Sequence, residues 1–258
     1  CGTASRSFPR ALWVDPKDRQ DKARENDRLK TWGINRLDRF TYQDPTHECT
    51  CHMLRAEGEA ASNRTRGIIF PDGPKKDFRY AESAEFGSVW LSPLSIYAKA
   101  NPRQWGGASC RQVLEIACKR GFLPDKIQPR EYGFRHTLQG TSGKGNSNQS
   151  SGPWVSLRNF PDGWQETAKH FKPLEVILTT DWEEALCLLL HGHVLGYGRD
   201  GHAVPPAFWS VASDVIGYVD SYNVVRYDSM RTFRRAVASG VHCIVSMTTP
   251  DDYLKPAG

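Results

Sequence analysis

Apolar residues recur at helical spacing through the first half of the chain and in short strand-like runs through the second. From Cys49 to about Ser62, Cys49, Met53, Ala56 and Ala60 fall at i, i+4, i+7 and i+11, one face of a helix, in a stretch without proline. Thr46 is placed to cap it. Ser92 to Lys99 predicts a short helix, with Ser92 as cap and Pro93 in the first turn. Ser109 to Arg120 carries Val113, Leu114, Ile116 and Ala117 at amphipathic spacing and is stopped by Gly121 and Pro124. Asp181 to Leu190 predicts a capped helix, Glu184 standing three residues after Asp181 as in a capping box. Strands are expected at Leu174 to Leu178, Val194 to Tyr197, Val215 to Asp220, Val224 to Tyr227 and Val241 to Met247, and a short one at Arg39 to Tyr42.

Between these elements, Gly67 to Phe86 reads as loop, and Thr141 to Pro153, rich in Gly, Ser and Asn, as a flexible loop or a boundary. Asp15 to Leu29 is highly charged and reads as a solvated helix or loop. Helices followed by strands imply an α+β protein of two lobes. Its parts are an N-terminal extension over residues 1–44, a helical left lobe over 45–150 and a β-rich right lobe over 151–258. The right lobe is expected to take in part of the extension, with a cleft between the lobes. No internal repeat is found.

Composition narrows the function. The 258 residues suffice for one large domain or two lobes. The net charge of +5 is spread among acids, with no basic stripe interleaved with aromatics, so nucleic acid is not an expected partner. No apolar run approaches the roughly 18 to 20 residues that cross a bilayer, so no membrane partner is expected, and Cys1 to Arg10 does not read as a signal peptide. Five of the seven cysteines, Cys49, Cys51, Cys110, Cys118 and Cys187, fall in segments that read as helix or strand rather than in loops. That placement suits reduced thiols and a reducing compartment better than a disulfide scaffold.

Three segments carry candidate chemistry. Cys49 stands at a predicted helix N-terminus, where the helix dipole and unpaired N–H groups favour the thiolate, the nucleophilic form. Gln43, six residues upstream, and the Cys49 backbone N–H are placed to donate to a developing oxyanion. His202, after Gly201, can accept the thiol proton. Asp220 ends an apolar strand and can accept a hydrogen bond from the histidine ring, with Ser221 beside it and Tyr222 able to shield the bond. Cys51 is a rival nucleophile, but two helical positions turn it about 200° from Cys49. Taken singly, Cys49 reads as a small buried helix residue and His202 as a structural histidine. His47, Cys49, Cys51 and His52 also cluster, yet no second ligand pair matches common zinc spacings, so neither metal nor cofactor is expected. His191 and His193 fit a helix end and a turn.

In their order these segments resemble the papain family of cysteine peptidases. Gln43 to Cys49 has that family's spacing between oxyanion-hole glutamine and nucleophile, and Glu59 falls where its central helix carries Glu. Leu91-Ser92-Pro93 resembles its Leu-Ser helix start, and Trp105-Gly106-Gly107 its Asn-Gly-Gly stretch, which pairs with extended substrate. Gly201-His202-Ala203-Val204 resembles its histidine motif, Asp220-Ser221-Tyr222 its Asn-Ser-Trp motif, and the helix Asp181 to Leu190 followed by Val194 its helix before the lobe crossover. The resemblance spans about residues 40 to 230 and implies a papain-like fold with a barrel-like right lobe. It implies a thiol hydrolase of peptide or amide bonds acting on a peptide or protein substrate through Cys49, His202, Asp220 and Gln43. Trp105, Gly106 and Gly107 would bind the substrate.

The sequence departs from the pattern where Thr46-His47-Glu48-Cys49-Thr50 replaces Cys-Gly-Ser-Cys-Trp, and Asp220 replaces Asn. Glu48 sets a carboxylate beside the thiol, which opposes thiolate formation. Two alternatives follow. One is a papain-like protein that binds or builds without catalysis, as part of a larger assembly such as a virus particle. The other is a peptidoglycan- or isopeptide-cleaving cysteine hydrolase, which Asp220 suits.

Overall fold

The computed structural model describes residues 7–40, 49–75, 87–100, 107–125, 127, 133–134, 153–154, 157–222 and 224–250. In chain order, α1 (Arg19–Leu29) and α2 (Cys49–Thr65) precede the short strand β1 (Leu91–Ser92), α3 (Leu94–Ala100) and α4 (Cys110–Arg120). The two-residue strands β2 (Leu123–Pro124), β3 (Gly133–Phe134) and β4 (Pro153–Trp154) lead to α5 (Trp164–Lys169), β5 (Pro173–Thr179) and α6 (Trp182–Leu190). There follow β6 (Tyr197–Arg199), β7 (His202–Val204), β8 (Pro206–Ser210), β9 (Val215–Asp220), β10 (Val224–Ser229), α7 (Met230–Ala238) and β11 (Val241–Met247).

Local sequence explains the ends. The Ser109 hydroxyl accepts from the Gln112 N–H at 3.1 Å to start α4, and Gly121, at φ 86°, stops it. Asp181 accepts from the Glu183 N–H at 2.9 Å to start α6. Glu184 does not close a capping box; it accepts from the Phe8 N–H at 2.5 Å. Thr46 lies outside the described residues, as do Tyr42 and residues 76–86 and 141–152.

α2 is buried on every side from Cys49 to Asn63, so the apolar face read from its sequence is only part of its contact surface. Leu54 and Ala61 pack with Leu91, Val113, Phe122 and Ile244 on one side; Ala56 and Ala60 pack with Leu37, Val194, Ala207 and Val219 on another. Each large apolar side chain so buried contributes about 1.5 to 3 kcal/mol. Its buried carboxylates face basic partners. Glu59 accepts from the Leu91 N–H at 2.8 Å and pairs with Arg55 and, at 3.3 Å, with Arg39; Glu57 stands 3.0 Å from His242.

Two expectations are corrected. The second half is rich in strand, but beside the expected α6 it holds two unforeseen helices, α5 and α7. The second of these is well hidden. Its buried stripe is only Met230, Phe233 and Val237, hidden in the sequence among Arg231, Arg234 and Arg235. Nor, among the described residues, do the strands close into a barrel. They form a three-stranded antiparallel sheet, β10–β9–β8, and the ribbons β11–β5, β6–β7, β1–β2 and β3–β4. Pro205 and Pro206 remove two backbone donors where β7 passes into β8.

Residues 7–40, read as an extension partly shared with the second half, supply Phe8, Ala23 and Trp32 to the core that also holds α6 and α7. All six described cysteines are free. Among the described residues no helix is long and apolar enough to cross a membrane.

Candidate active site

Cys49 is the first residue of α2 and is 9% exposed. Its neighbours are Met53, one turn along the helix, and Ala203 of β7. Cys51 faces the other way, into the apolar cluster with Leu54 and Val113. The helix thus presents one thiol, not two, to β7.

His202 owes its position to a two-residue hairpin. Arg199 of β6 pairs with His202 of β7 across Asp200 and Gly201, which have φ 47° and 79°. Asp-Gly with both residues left-handed is the type I′ turn that suits antiparallel strands. It sets His202 as the first residue of β7, beside the start of α2.

The ring joins two partners. Nε2 of His202 lies 3.0 Å from Oδ1 of Asp220 and, facing a carboxylate, carries the proton and donates. The ring's second neighbour is the Cys49 thiol, which acts on its titration. Asp220 is the last residue of β9, and its side chain is 3% exposed. The Ser221 hydroxyl donates to the same Oδ1 at 3.4 Å. Tyr222 stacks on the histidine at 5.8 Å between ring centres, 21° from parallel.

These contacts set the protonation states. Hydrogen bonds to Asp220 and then to Cys49 push the His202 pKa up to about 9. Burial opposes ionisation of the Cys49 thiol, but hydrogen bonds from His202 and the Ala203 N–H outweigh it and bring the thiol below its ordinary value. Burial likewise resists the Asp220 carboxylate, and the His202 bond, with Arg226, leaves it below its usual value. The arrangement favours thiolate and imidazolium together.

Arg226 of β10 was not foreseen from the sequence. Its Nε stands 2.6 Å from Oδ2 of Asp220. Only the pairing register of β10 on β9 makes that reach visible. A cavity of about 670 Å³ is lined by Cys110, Leu114, Leu178, Gly198, Val241 and His242. Cys110, one of its walls, packs on the cluster containing Cys49. Burial, then Glu57 and Cys49, push the Cys110 thiol up to about 11, the opposite direction from Cys49.

Gln43, Trp105, Gly106, His47 and Glu48 lie outside the described residues; Gly107 is described and exposed. Among the described residues no three His, Cys, Asp or Glu side chains converge as metal ligands. His52 is buried, and that burial pulls its pKa down to about 3. His191 ends α6, its Nε2 2.8 Å from the Leu12 carbonyl, and His193 is buried in the following turn.

The chain therefore has a mixed helix-and-sheet fold of papain-like kind, as comparison with solved structures shows. It is similar to xylellain, a cysteine protease from Xylella fastidiosa, with a TM-score of 0.54 at 14% identity over 83% of this chain and 85% of that one. At that identity the likeness is one of fold. No family model matches the sequence, and no curated protein does.

Proposed function

We propose that the protein is a cysteine hydrolase of peptide or amide bonds, with Cys49, His202 and Asp220 as its catalytic centre. The observation that carries this reading is His202 standing between the Cys49 thiol and the Asp220 carboxylate, its Nε2 3.0 Å from Oδ1. In this reading the Cys49 thiolate attacks the carbonyl carbon. A C–S bond forms and the π pair moves onto oxygen, where the Gln43 amide and the Cys49 N–H donate to it. Imidazolium His202 gives its proton to the leaving amine as the C–N bond breaks. Neutral His202 then takes a proton from water, which attacks the acyl-enzyme and frees Cys49. Asp220 holds the ring in the tautomer that faces the thiol, and Tyr222 covers one face of it.

Gly106 and Gly107 would offer backbone hydrogen bonds to an extended substrate beside Trp105, a form of strand addition. The cavity past Cys110 would receive a side chain. The low exposure of Cys49, 9%, favours a second reading: a papain-like protein that binds a partner in a larger assembly without turning it over.

The test is turnover of peptide, isopeptide and muropeptide panels by the wild-type protein and by Cys49→Ala. A drop of at least about 10⁴-fold in kcat with an unchanged fold supports the hydrolase and identifies its substrate class. Undiminished turnover in the variant removes Cys49 from the mechanism. No turnover by the wild type on any panel, with an unreactive thiol, selects the binding protein.

A further inference from the structure

The Asp220 carboxylate is committed on both oxygens. Oδ1 accepts from His202 at 3.0 Å and from Ser221 at 3.4 Å; Oδ2 pairs with Arg226 Nε at 2.6 Å. The pairing of β9 with β10 explains the reach. Val224 stands opposite Asp220 and Arg226 opposite Tyr218, so Arg226 is the diagonal neighbour of Asp220 on one face of the sheet. The next charges on that face are otherwise engaged: Arg199 pairs with Asp228 and donates to the Tyr218 hydroxyl at 3.2 Å. Arg226 is therefore the cation given over to Asp220. The carboxylate is 3% exposed and the arginine 55%, so a buried anion is clamped from the solvent side.

We propose that Arg226 is a positioning residue: by gripping Oδ2 it fixes the Asp220 carboxylate in the orientation that presents Oδ1 to His202. This rests on the reading of Cys49, His202 and Asp220 as the catalytic centre. Arg226 touches neither thiol nor imidazole in this role; it acts through Asp220. The guanidinium suits the task because its planar N–H groups fix a carboxylate plane, whereas an ammonium supplies charge without that constraint.

Positioning and mere proximity of charge predict opposite results. A nearby cation that did not position Asp220 would only oppose the imidazolium. Its removal would stabilise the thiolate–imidazolium pair and widen the pH range in which Cys49 is reactive. A positioning arginine works the other way. Without it the carboxylate turns from His202, the imidazolium loses its partner, and the range narrows from both ends. The acid limb then moves up and the His202 titration moves down from about 9. The other groups facing Asp220 are His202 of β7, Ser221 in the turn and Tyr218 of β9, and all are kept unchanged in the Arg226 variants.

The experiment measures Cys49 alkylation by iodoacetamide against pH in wild type, His202→Ala, Arg226→Met and Arg226→Lys, and the His202 titration by NMR in wild type and the two Arg226 variants. The proposal expects Arg226→Met to slow alkylation near pH 6 by about threefold to tenfold and to narrow the range at both ends, with Arg226→Lys between it and wild type. A widened range, or an Arg226→Met profile equal to wild type, overturns it while leaving the catalytic centre standing. If wild type itself shows no acid-shifted reactivity that His202→Ala removes, the catalytic centre is wrong and the proposal falls with it. Arg226 is more than half exposed, so the variants are expected to fold, which circular dichroism checks.

Discussion

At the scale of single residues, Asp220 is where the chain departs from the asparagine of the family it resembles, and its carboxylate is the first cause of the raised His202 pKa. Asp220→Asn is expected to bring His202 from about 9 back toward its ordinary value near 6.5, read by NMR titration. A folded-state value above the unfolded one means that His202 stabilises the fold fully below about pH 6.5 and ceases to as pH rises through about 9. Wild-type stability should thus lose a component over that interval that Asp220→Asn lacks, seen in urea unfolding at pH 6 and pH 9.5. Equal losses in the two proteins would show that Asp220 does not hold the imidazolium. Cys49, His202 and Asp220 were all legible in the sequence as polar residues at a helix start, a strand start and a strand end. Their contacts were expected only from the order of the motifs and the family resemblance, not from local pattern, because they join side chains more than 150 positions apart in the case of Cys49 and His202.

At the scale of elements, caps and stops carried most of the legible signal. Ser109, Gly121 and Asp181 act where their types predict, because capping is settled within one turn of helix. Gly121 is the sharpest case. Its φ is 86°, and a Cβ there would lie 1.7 Å from the Ala168 carbonyl oxygen of α5. Gly121→Ala is therefore expected to destabilise by about 3 kcal/mol or more, combining left-handed strain with overpacking against backbone. The measurement is the urea midpoint; a change within error would mean that α4 and α5 separate at little cost. The Asp200-Gly201 turn was equally local, yet only Gly201 was read, as part of the histidine motif, and not the hairpin that places His202. α7 escaped notice because three buried residues in nine make a narrow stripe among arginines.

At the scale of the whole molecule, the N-terminal residues matter more than their charged composition suggests. Phe8 is 5% exposed, its ring meets those of His191 and His193, and its N–H is tied to Glu184. Phe8→Ala should cost about 3 kcal/mol, as for other buried aromatics, and lower the melting temperature accordingly. If the melt does not move, residues 7–18 are a separable arm. α2 makes the same point from the centre: buried all round, it carries Glu57, Glu59, Arg55 and His52 inside the protein, where a sequence pattern assigns charges to solvent.

By itself the sequence determined what is settled over a few residues: where helices start and stop, which runs extend, and the order Cys49, His202, Asp220 along the chain. Only the tertiary structure decided which faces of α2 are covered, that Cys110 both walls a cavity and packs on the cluster holding Cys49, and that Arg226 meets Asp220. The physical reason is range. Capping, turn formation and periodicity are local energies written in neighbouring residues, whereas burial and ion pairing depend on the register between elements that the chain brings together from far apart.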